Sequence, residues 1–392
     1  MSYSNQHVNW SPSQRAVHVD LHRPSAVTVT GLAQKRAWAE KSFPPVEELE
    51  SGIWSIPVPI PGSPLRYVLS YAISTPLGPV IVDPGWPGEA GWTALTDGLA
   101  EGGWDIEDVH GVLVTHAHTD HQGQSSRVRE VSGCWIGMHD ADARILRGYA
   151  DGSLVESCNL DWLVTSGVPD SEREHGIEMD AARMRLACDM IPDRLIADND
   201  EGFIPGRSIA AIWTPGHTPG HLCFALPDDD VLLGGDHLLP RISSHVGGYT
   251  VDGSDALGDY LRSLTDLASR DGDPEVLPGH EYRFRGVDRR VRTAIEHHAD
   301  RLVQVYDAVT TMAAGTTWDV ASRVSWSRGW GETVGPLRRL ALAETAAHLR
   351  WLSVRGILIE RSGRPTVWSI HDSANGEVER IRKALESEYV TA

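Results

Sequence analysis

The sequence has few cysteines, and none of them lies in a Cys-x-x-Cys motif. There are four among 392 residues, at Cys134, Cys158, Cys188 and Cys223. Cysteines spaced in this way are typical of reduced, mostly buried side chains in a cytosolic protein. They argue against a structural zinc site, because such sites are closed shells that are usually rich in thiolates.

Long apolar segments are also lacking. No stretch of 18 apolar residues occurs, so a membrane-spanning helix is not expected. The first residues, Met1-Ser-Tyr-Ser-Asn, do not form the basic segment followed by an apolar one that marks a signal peptide. We therefore expect a cytoplasmic protein with no membrane partner.

Positive charge is scarce. Lysine and arginine total 35 against 54 aspartate and glutamate residues, a formal net charge of −19. Such a surface repels phosphate backbones, so a nucleic-acid partner is not favoured. The apolar fraction of 41% is ordinary for a globular protein, and the length suggests two domains with an additional arm.

Short apolar runs cut by glycine and proline alternate with helical segments over much of the chain. The runs predict strands between Ile53 and Leu233. Helical segments are predicted at Ala90–Glu101, Gln122–Ser132 and Gly258–Arg270. This alternation indicates a layered α/β catalytic domain over residues 49–287, with helices outside the sheets. The polar, irregular residues 1–48 are expected to form an N-terminal arm that packs on the body or stays partly mobile.

One segment interrupts this alternation. Residues 141–200 are helix-prone, most clearly at Asp180–Met190, and they carry Trp162 and several methionines. An insertion at this place either forms a helical lid over a site or packs as an additional subdomain. The sequence leaves both alternatives open.

The C-terminal part of the chain is mainly helical. Asp288–Thr311, Thr317–Val324 and Arg338–Arg355 predict three helices; a Thr-x-x-Asp pattern opens the second, and Gly356 follows the third. A β-hairpin with a Ser-Gly turn comes next. Three helices and a hairpin predict a winged-helix-like domain over residues 288–392.

The densest cluster of potential ligands follows the predicted strand Gly111–Val114. His116, His118, Asp120 and His121 lie within six residues. Imidazole and carboxylate together suit divalent ions such as zinc, manganese or iron. Alternate residues of an extended segment point the same way, so His116 and His118 can share one ion while the next two residues face a second.

Three more potential ligands each follow a predicted strand. They are His217, Asp236 and His280. Their neighbours His221 and His237 are expected to pack around the ligands. His245 lies further along the same loop as Asp236 and is either a surface histidine or a donor of a hydrogen bond to an oxyanion.

Together these motifs resemble the five-motif signature of the metallo-β-lactamase superfamily. The matching positions are His116-x-His118-x-Asp120-His121, His217, Asp236 and His280, with Asp83 in Ile81-Val82-Asp83-Pro84-Gly85 at the first motif. The resemblance implies an αββα sandwich with the site at one edge, supported behind its ligands by Asp83. It implies two metal ions, the first held by His116, His118 and His217, the second by Asp120, His121 and His280, and both bridged by Asp236.

Such ligands indicate hydrolysis. Two divalent ions, of which zinc is the first choice, would lower the pKa of a shared water and give a bridging hydroxide that attacks a polarised carbonyl. Asp120 could also orient this nucleophile or pass a proton to the leaving group.

The sequence differs from related patterns in two places. His118 stands where the oxygen-reducing branch has glutamate, so that redox function is not favoured. The commonest second motif ends His-x-Gly-Gly, whereas this sequence has His121-Gln122-Gly123-Gln124.

The C-terminal tail narrows the range of possible substrates. With His297-His298 and Ala346-Ala347-His348-Leu349, it is similar to the tail of the lactamase-β-like protein 2 family in the glyoxalase II-like branch. That likeness implies either a hydrolase of small esters, thioesters or lactones, or an endoribonuclease. Because the chain is acidic, we favour the first, and we interpret the arginines of the tail as part of a packing or homodimerisation module. A true β-lactamase is not favoured, since those enzymes are usually secreted and lack this tail.

Overall fold

The computed structural model describes residues 27–151, 156–173, 190–247, 253–371 and 377–389. The strands, in chain order, are β1 (Thr28–Val29), β2 (Glu47–Leu49), β3 (Ile53–Pro59), β4 (Tyr67–Ile73), β5 (Val80–Val82), β6 (Gly111–Leu113), β7 (Trp135–Met138), β8 (Arg194–Leu195), β9 (Ala210–Trp213), β10 (Leu222–Leu226), β11 (Val231–Gly235), β12 (Glu275–Pro278), β13 (Phe284–Arg285), β14 (Ala314–Gly315), β15 (Leu358–Arg361) and β16 (Val367–Ile370).

The α-helices, in chain order, are α1 (Leu32–Glu40), α2 (Glu89–Glu101), α3 (Thr119–Gln122), α4 (Ser125–Ser132), α5 (Asp140–Ala150), α6 (Glu156–Thr165), α7 (Ala256–Ala268), α8 (Val287–Met312), α9 (Thr317–Ala321), α10 (Pro336–Val354) and α11 (Glu377–Tyr389). None of these described helices is both long and apolar enough to cross a membrane.

Two mixed sheets form the centre of the molecule. The first has the strand order β2-β3-β4-β5-β6-β7-β8, and the second has the order β1-β13-β12-β11-β10-β9. Strands β5 to β8 run parallel, as do β11 and β12, and the other neighbours are antiparallel. The loops that follow the parallel strands β5, β6 and β7 therefore leave the first sheet at one edge.

Strand β4 shows how the sheets pack together. Tyr67, Leu69 and Tyr71 lie in the core between the two sheets with Phe224 of β10, whereas Val68 lies in the core on the outer face of the first sheet. Successive residues of a strand point to opposite faces. A strand buried on both faces is therefore apolar at every position, as much of β4 is.

Helices cover the outer faces of both sheets. On the first sheet, Leu95 of α2 packs in the same cluster as Ile56 of β3. On the second sheet, Leu261 of α7 and Ile295 of α8 share a cluster with Val276 of β12. The result is the αββα sandwich that the sequence predicts.

The predicted strands are present with small shifts of their ends, but one predicted helix is wrong. The helix expected over Gln122–Ser132 is instead two helices, α3 and α4, and Asp120 and His121 lie inside the first. The backbone at the break pairs with another loop: the Gly85 N–H donates to the His121 carbonyl, and the Gly85 carbonyl accepts from Gln124.

The described part of the N-terminal arm packs on the body. Strand β1 pairs with β13, and α1 is anchored by Gln34, whose side chain is fully buried. Its Nε2 donates to Ser55 Oγ at 3.0 Å, and its Oε1 accepts from the Arg283 N–H at 2.9 Å. The arm is thereby joined to both sheets, while residues 1–26 lie outside the described residues.

Helix α6 of the insertion packs against the C-terminal part of the chain, whereas α5 and β8 belong to the first sheet and its outer core. Leu163 of α6 shares a small apolar cluster with Leu342 of α10. The Thr165 carbonyl accepts from the Thr366 N–H at 2.8 Å. These contacts favour the packed-subdomain alternative for this stretch. Apart from Met190, which is buried, the helix predicted at Asp180–Met190 lies outside the described residues.

The C-terminal part has the predicted three helices α8, α9 and α10, followed by the hairpin β15–β16. Strand β14 completes a three-stranded sheet, and α11, which the sequence reasoning missed, adds a further helix. Trp351 of α10 and Leu385 of α11 lie in one continuous core cluster with Leu232 of the second sheet. The domain boundary at residue 288 and the winged-helix assignment stay predictions.

Helix α10 offers a matched pair of leucines that tests this shared core. Leu349 is fully buried, whereas Leu340 is 39% exposed. We expect Leu349→Ala to lower the free energy of unfolding by about 2–5 kcal/mol, because it leaves a cavity in the core that the tail shares with the second sheet and its helices. Leu340→Ala should change it by only roughly 0.5 kcal/mol. Denaturant unfolding measures both, and equal losses would contradict the shared core.

Candidate metal centre

Asp83 holds the loop that carries the first candidate ligands. It directly follows β5 and has φ of 55°, a left-handed conformation that non-glycine residues rarely adopt. Its carboxylate accepts from the Thr115 N–H at 2.8 Å and from the Thr115 hydroxyl at 2.7 Å, and its Oδ2 lies 2.8 Å from His121 Nδ1. The unusual backbone conformation thus aims one buried carboxylate at two points of the same loop.

Three imidazole nitrogens converge beyond the end of β6. His118 Nδ1 lies 2.9 Å from His116 Nε2 and 2.9 Å from His217 Nε2, and these last two nitrogens are 3.2 Å apart. Nitrogen ligands of a tetrahedral zinc ion stand about 3.3 Å apart, since each Zn–N bond is about 2.0–2.1 Å. The triangle therefore has the shape of one face of a tetrahedral site, slightly contracted.

A second group of side chains lies beside the first. His280 Nε2 is 3.4 Å from Asp120 Oδ2, and His121 Nε2 is 3.9 Å from the same oxygen. Asp236 lies between the groups: its Oδ1 is 3.4 Å from His121 Nε2 and 3.5 Å from His280 Nε2, and its Oδ2 is 3.7 Å from His217 Nε2. One carboxylate that faces both groups has the placement of a bridging ligand.

Three atoms of this second group are buried and have no hydrogen-bond partner. They are His121 Nε2, His280 Nε2 and Asp236 Oδ1. An unpaired buried polar atom costs about 1–3 kcal/mol. A cation placed between them would pair all three, and imidazole with carboxylate is a donor set for zinc, manganese or iron. The residues present therefore fit divalent ions.

The candidate histidines are oriented by hydrogen bonds of their other ring nitrogen. His217 Nδ1 lies 2.7 Å from the His245 carbonyl, and His280 Nδ1 lies 2.9 Å from the Tyr67 carbonyl. A carbonyl can only accept, so each Nδ1 carries a proton and each Nε2 faces the site. Such outer hydrogen bonds commonly fix the tautomer and the ring orientation of metal-binding histidines.

The two groups differ in charge. Burial, together with the neighbouring histidines, holds the pKa of His116 well below its usual value, and burial lowers the pKa of His217 to about 4. Burial also opposes protonation of His280, but the Asp236 and Asp120 carboxylates prevail and raise its pKa to about 10. Cation binding at the second group would therefore displace protons.

The candidate site opens to solvent on one side. The side chain of Asp120 is 20% exposed and His118 is half-buried, whereas His116, His121 and His280 are fully buried. A molecule from solvent would therefore approach past Asp120 and His118.

Two histidines beside the ligands take supporting positions. His221 Nε2 accepts from the Asp236 N–H at 3.2 Å, and its ring stacks on that of His116 with centroids 5.1 Å apart. His237 is buried with its ring edge-on to that of Tyr260. His221 therefore lies against the candidate ligands rather than among them, and His237 packs against Tyr260.

His245 contributes its backbone to the candidate site. Its carbonyl contacts His217 as described, while its ring Nε2 lies 3.0 Å from the Leu340 carbonyl of α10. The ring is thus directed to the C-terminal part of the chain. A hydrogen bond from His245 to an oxyanion stays a prediction.

The unusual Gln124 supports a neighbouring loop. Its buried Nε2 donates to the Trp86 carbonyl at 2.9 Å and to the Gly88 carbonyl at 3.2 Å. This loop directly follows Asp83. The glutamine of the second motif therefore ties together the loops after β5 and β6, instead of facing the candidate ligands.

One buried carboxylate near the site was missed in the sequence. Asp142 of α5 is fully buried and accepts from the Ala117 N–H, the Thr218 hydroxyl and the Gly220 N–H. Burial raises its pKa to about 6. A signal was present: Asp142 lies on the same helix face as the buried Ile145 and Leu146, where an unpaired acidic residue is rare.

Comparison with known proteins agrees with this geometry. A family model described as the metallo-beta-lactamase superfamily matches residues 63–280, which include Asp83 and all the candidate ligands. The lactamase-like protein adaB of Aspergillus niger is 26% identical over 283 residues, which cover 71% of each chain.

Solved structures share the fold. A metallo-beta-lactamase family protein of Thermus thermophilus is 27% identical, with a TM-score of 0.69 over 82% of this chain and 99% of that one. A beta-lactamase domain protein of Burkholderia ambifaria has the same fold at 22% identity, with a TM-score of 0.69 over 88% of this chain and 97% of that one. Because the family model covers more than half of the sequence, the chain belongs to the metallo-beta-lactamase superfamily.

Proposed function

We propose that the protein is a two-ion hydrolase that cleaves an ester, thioester or lactone of a small, partly apolar molecule. The observation that carries the proposal is the placement of Asp236. Its two carboxylate oxygens face two separate groups of candidate ligands, and its Oδ1 is buried without a hydrogen-bond partner. A carboxylate in that position is suited to bridge two cations.

In this proposal zinc is the first choice of metal for both positions. One ion would be held by His116, His118 and His217, the other by Asp120, His121 and His280, with Asp236 shared. When bound, such a pair of ions supplies hydroxide at neutral pH and polarises a carbonyl oxygen.

Residues of the chain would transfer protons and hold the candidate ligands in position. Asp120 is the most solvent-accessible carboxylate of the candidate site, so it is placed to orient the nucleophile or to pass a proton to the leaving group. Asp83 holds His121 in place through Nδ1, and the His245 carbonyl does the same for His217. These fixed positions reduce the reorganisation that the reaction requires.

Three exposed apolar residues near the start of α10 are candidates for binding an apolar substrate group. Val334, Leu337 and Leu340, at and just before the start of α10, are 58%, 36% and 39% exposed. The Leu340 carbonyl contacts His245, and the His245 carbonyl contacts His217. His245 therefore links the Leu340 backbone to a candidate ligand through two hydrogen bonds.

Ion pairs in the tail argue against the ribonuclease alternative. The guanidinium groups of Arg338, Arg350, Arg355 and Arg364 each contact a carboxylate, from Glu172, Glu360, Asp255 together with Glu388, and Asp161 respectively. Their charge is already neutralised within the chain. A groove that binds an RNA backbone needs cations available to phosphates.

The two-ion proposal predicts a strict metal requirement. Chelation should abolish hydrolysis, zinc should restore it, and metal analysis should give two ions per chain.

Asp120→Ala should lower kcat by about 10²- to 10⁴-fold, because the proton-transfer group and one ligand are both lost. The control is Asp97→Ala, at an exposed carboxylate of α2. Full turnover by the Asp120 variant would contradict the mechanism.

The substrate proposal predicts a pattern of activity over a panel. Zinc-loaded protein should hydrolyse acyl thioesters, esters or lactones, and a cephalosporin and single-stranded RNA should remain intact. Product analysis by chromatography measures each reaction. Cleavage of RNA alone would favour the nuclease alternative and overturn our choice.

The exposed apolar residues near the start of α10 predict selectivity for acyl length. Leu340→Asp should raise KM for long-chain substrates and leave short-chain substrates little changed, because a charge replaces the apolar contact. Loss of about 1–3 kcal/mol per missing apolar contact corresponds to roughly 10- to 200-fold. The matched control is Val354→Asp, at an exposed apolar residue that ends the same helix. If both variants act alike, these residues do not bind substrate.

A further inference from the structure

Asp142 connects two loops that come from different sheets. Its Oδ2 accepts from the Ala117 N–H at 2.7 Å and from the Thr218 hydroxyl at 2.7 Å, and its Oδ1 accepts from the Gly220 N–H at 2.6 Å. Ala117 belongs to the loop after β6 in the first sheet. Thr218 and Gly220 belong to the loop between β9 and β10 in the second sheet.

Two of the three bonds of Asp142 are to residues adjacent to a candidate ligand. Ala117 lies between His116 and His118, and Thr218 directly follows His217. These three histidines are the ones whose ring nitrogens converge within 3.2 Å. The relative position of the two loops therefore decides whether the three nitrogens meet, and the Asp142 carboxylate fixes that position from behind.

The local sequence is adapted to this contact. A Cβ at Gly220 would lie 2.5 Å from the Asp142 N and 2.7 Å from its Oδ1, so a side chain there would push the loop away. Asp142 is fully buried, and the described residues supply its carboxylate with three donors, two of which are backbone N–H groups. A buried carboxylate without such donors would be costly.

We propose that Asp142 is the positioning residue of the three-histidine half of the metal centre. Its function is to hold the loops after β6 and β9 together so that His116, His118 and His217 can bind one ion. It does not position the half formed by Asp120, His121 and His280, which Asp83 and the Tyr67 carbonyl orient. The inference rests on the proposed two-ion centre.

The geometry distinguishes aspartate from asparagine at this position. Each carboxylate oxygen of Asp142 faces a backbone N–H, from Ala117 on one side and from Gly220 on the other. In Asp142→Asn the amide nitrogen must face one of these donors in either orientation. The isosteric variant therefore loses a bond and gains a donor–donor contact, while the side chain keeps its volume.

The test measures zinc binding by chelator competition on the full chain. His118→Ala and Asp120→Ala first identify which binding step belongs to which half of the centre. Asp142→Asn should then weaken the step lost in His118→Ala by about 10- to 100-fold, as loss of hydrogen bonds behind metal ligands does. The step lost in Asp120→Ala should stay unchanged.

The matched control is Asp273→Asn. Asp273 Oδ1 also accepts from two backbone N–H groups, of Gly286 and Val287, but it contacts neither metal loop. This variant should bind both ions as the wild type does. Asp142→Asn binding both ions with wild-type affinity would overturn the inference, and so would equal weakening of the two steps.

A milder variant keeps the test valid if Asp142→Asn fails to fold, which thermal unfolding of the metal-free protein would reveal. Thr218→Val removes one of the three bonds and should weaken the same step by about 5-fold. No change in that step would overturn the inference. Failure of the wild type to bind two ions would instead contradict the proposed function, so the two failures are distinguishable.

Discussion

The carboxylate of Asp83 is the constraint on which the rest of the candidate site depends. Asp83 directly follows the buried strand β5, and its backbone is left-handed. Its carboxylate contacts both Thr115 and His121. The direction of the loop after β6 follows from these bonds. Every other candidate ligand is placed relative to that loop, either by the second sheet or by Asp142.

The sandwich supplies the site by bringing loops of two sheets to one edge. Asp120 and His121 come from the first sheet, and His217, Asp236 and His280 from the second. Neither sheet alone carries both candidate ion positions. The site therefore stays assembled only while the two sheets stay packed together, through residues such as Leu69 and Phe224.

Much of the fold and the candidate ligands could be predicted from the sequence, because both depend on local signals. Buried strands are apolar runs, and the ligands follow them at short spacings, as His116 and His118 do. Asp142 and the orientation of His245 depend on contacts between residues far apart in the chain, such as Asp142 with Gly220. The break after α3 arises in the same way, from pairing with Gly85, which the local sequence does not reveal.

The shared core of the tail and the second sheet has a consequence for how such chains diverge. Trp351 and Leu385 share one continuous apolar core with α7 and α8, the helices that lie on the second sheet. A tail that shares a core with the catalytic region cannot simply be replaced by an unrelated one. The new tail would not pack against the apolar residues that the old one buried. We therefore expect substitutions on α10 and α11 to be accompanied by substitutions in the part of the catalytic region that shares this core.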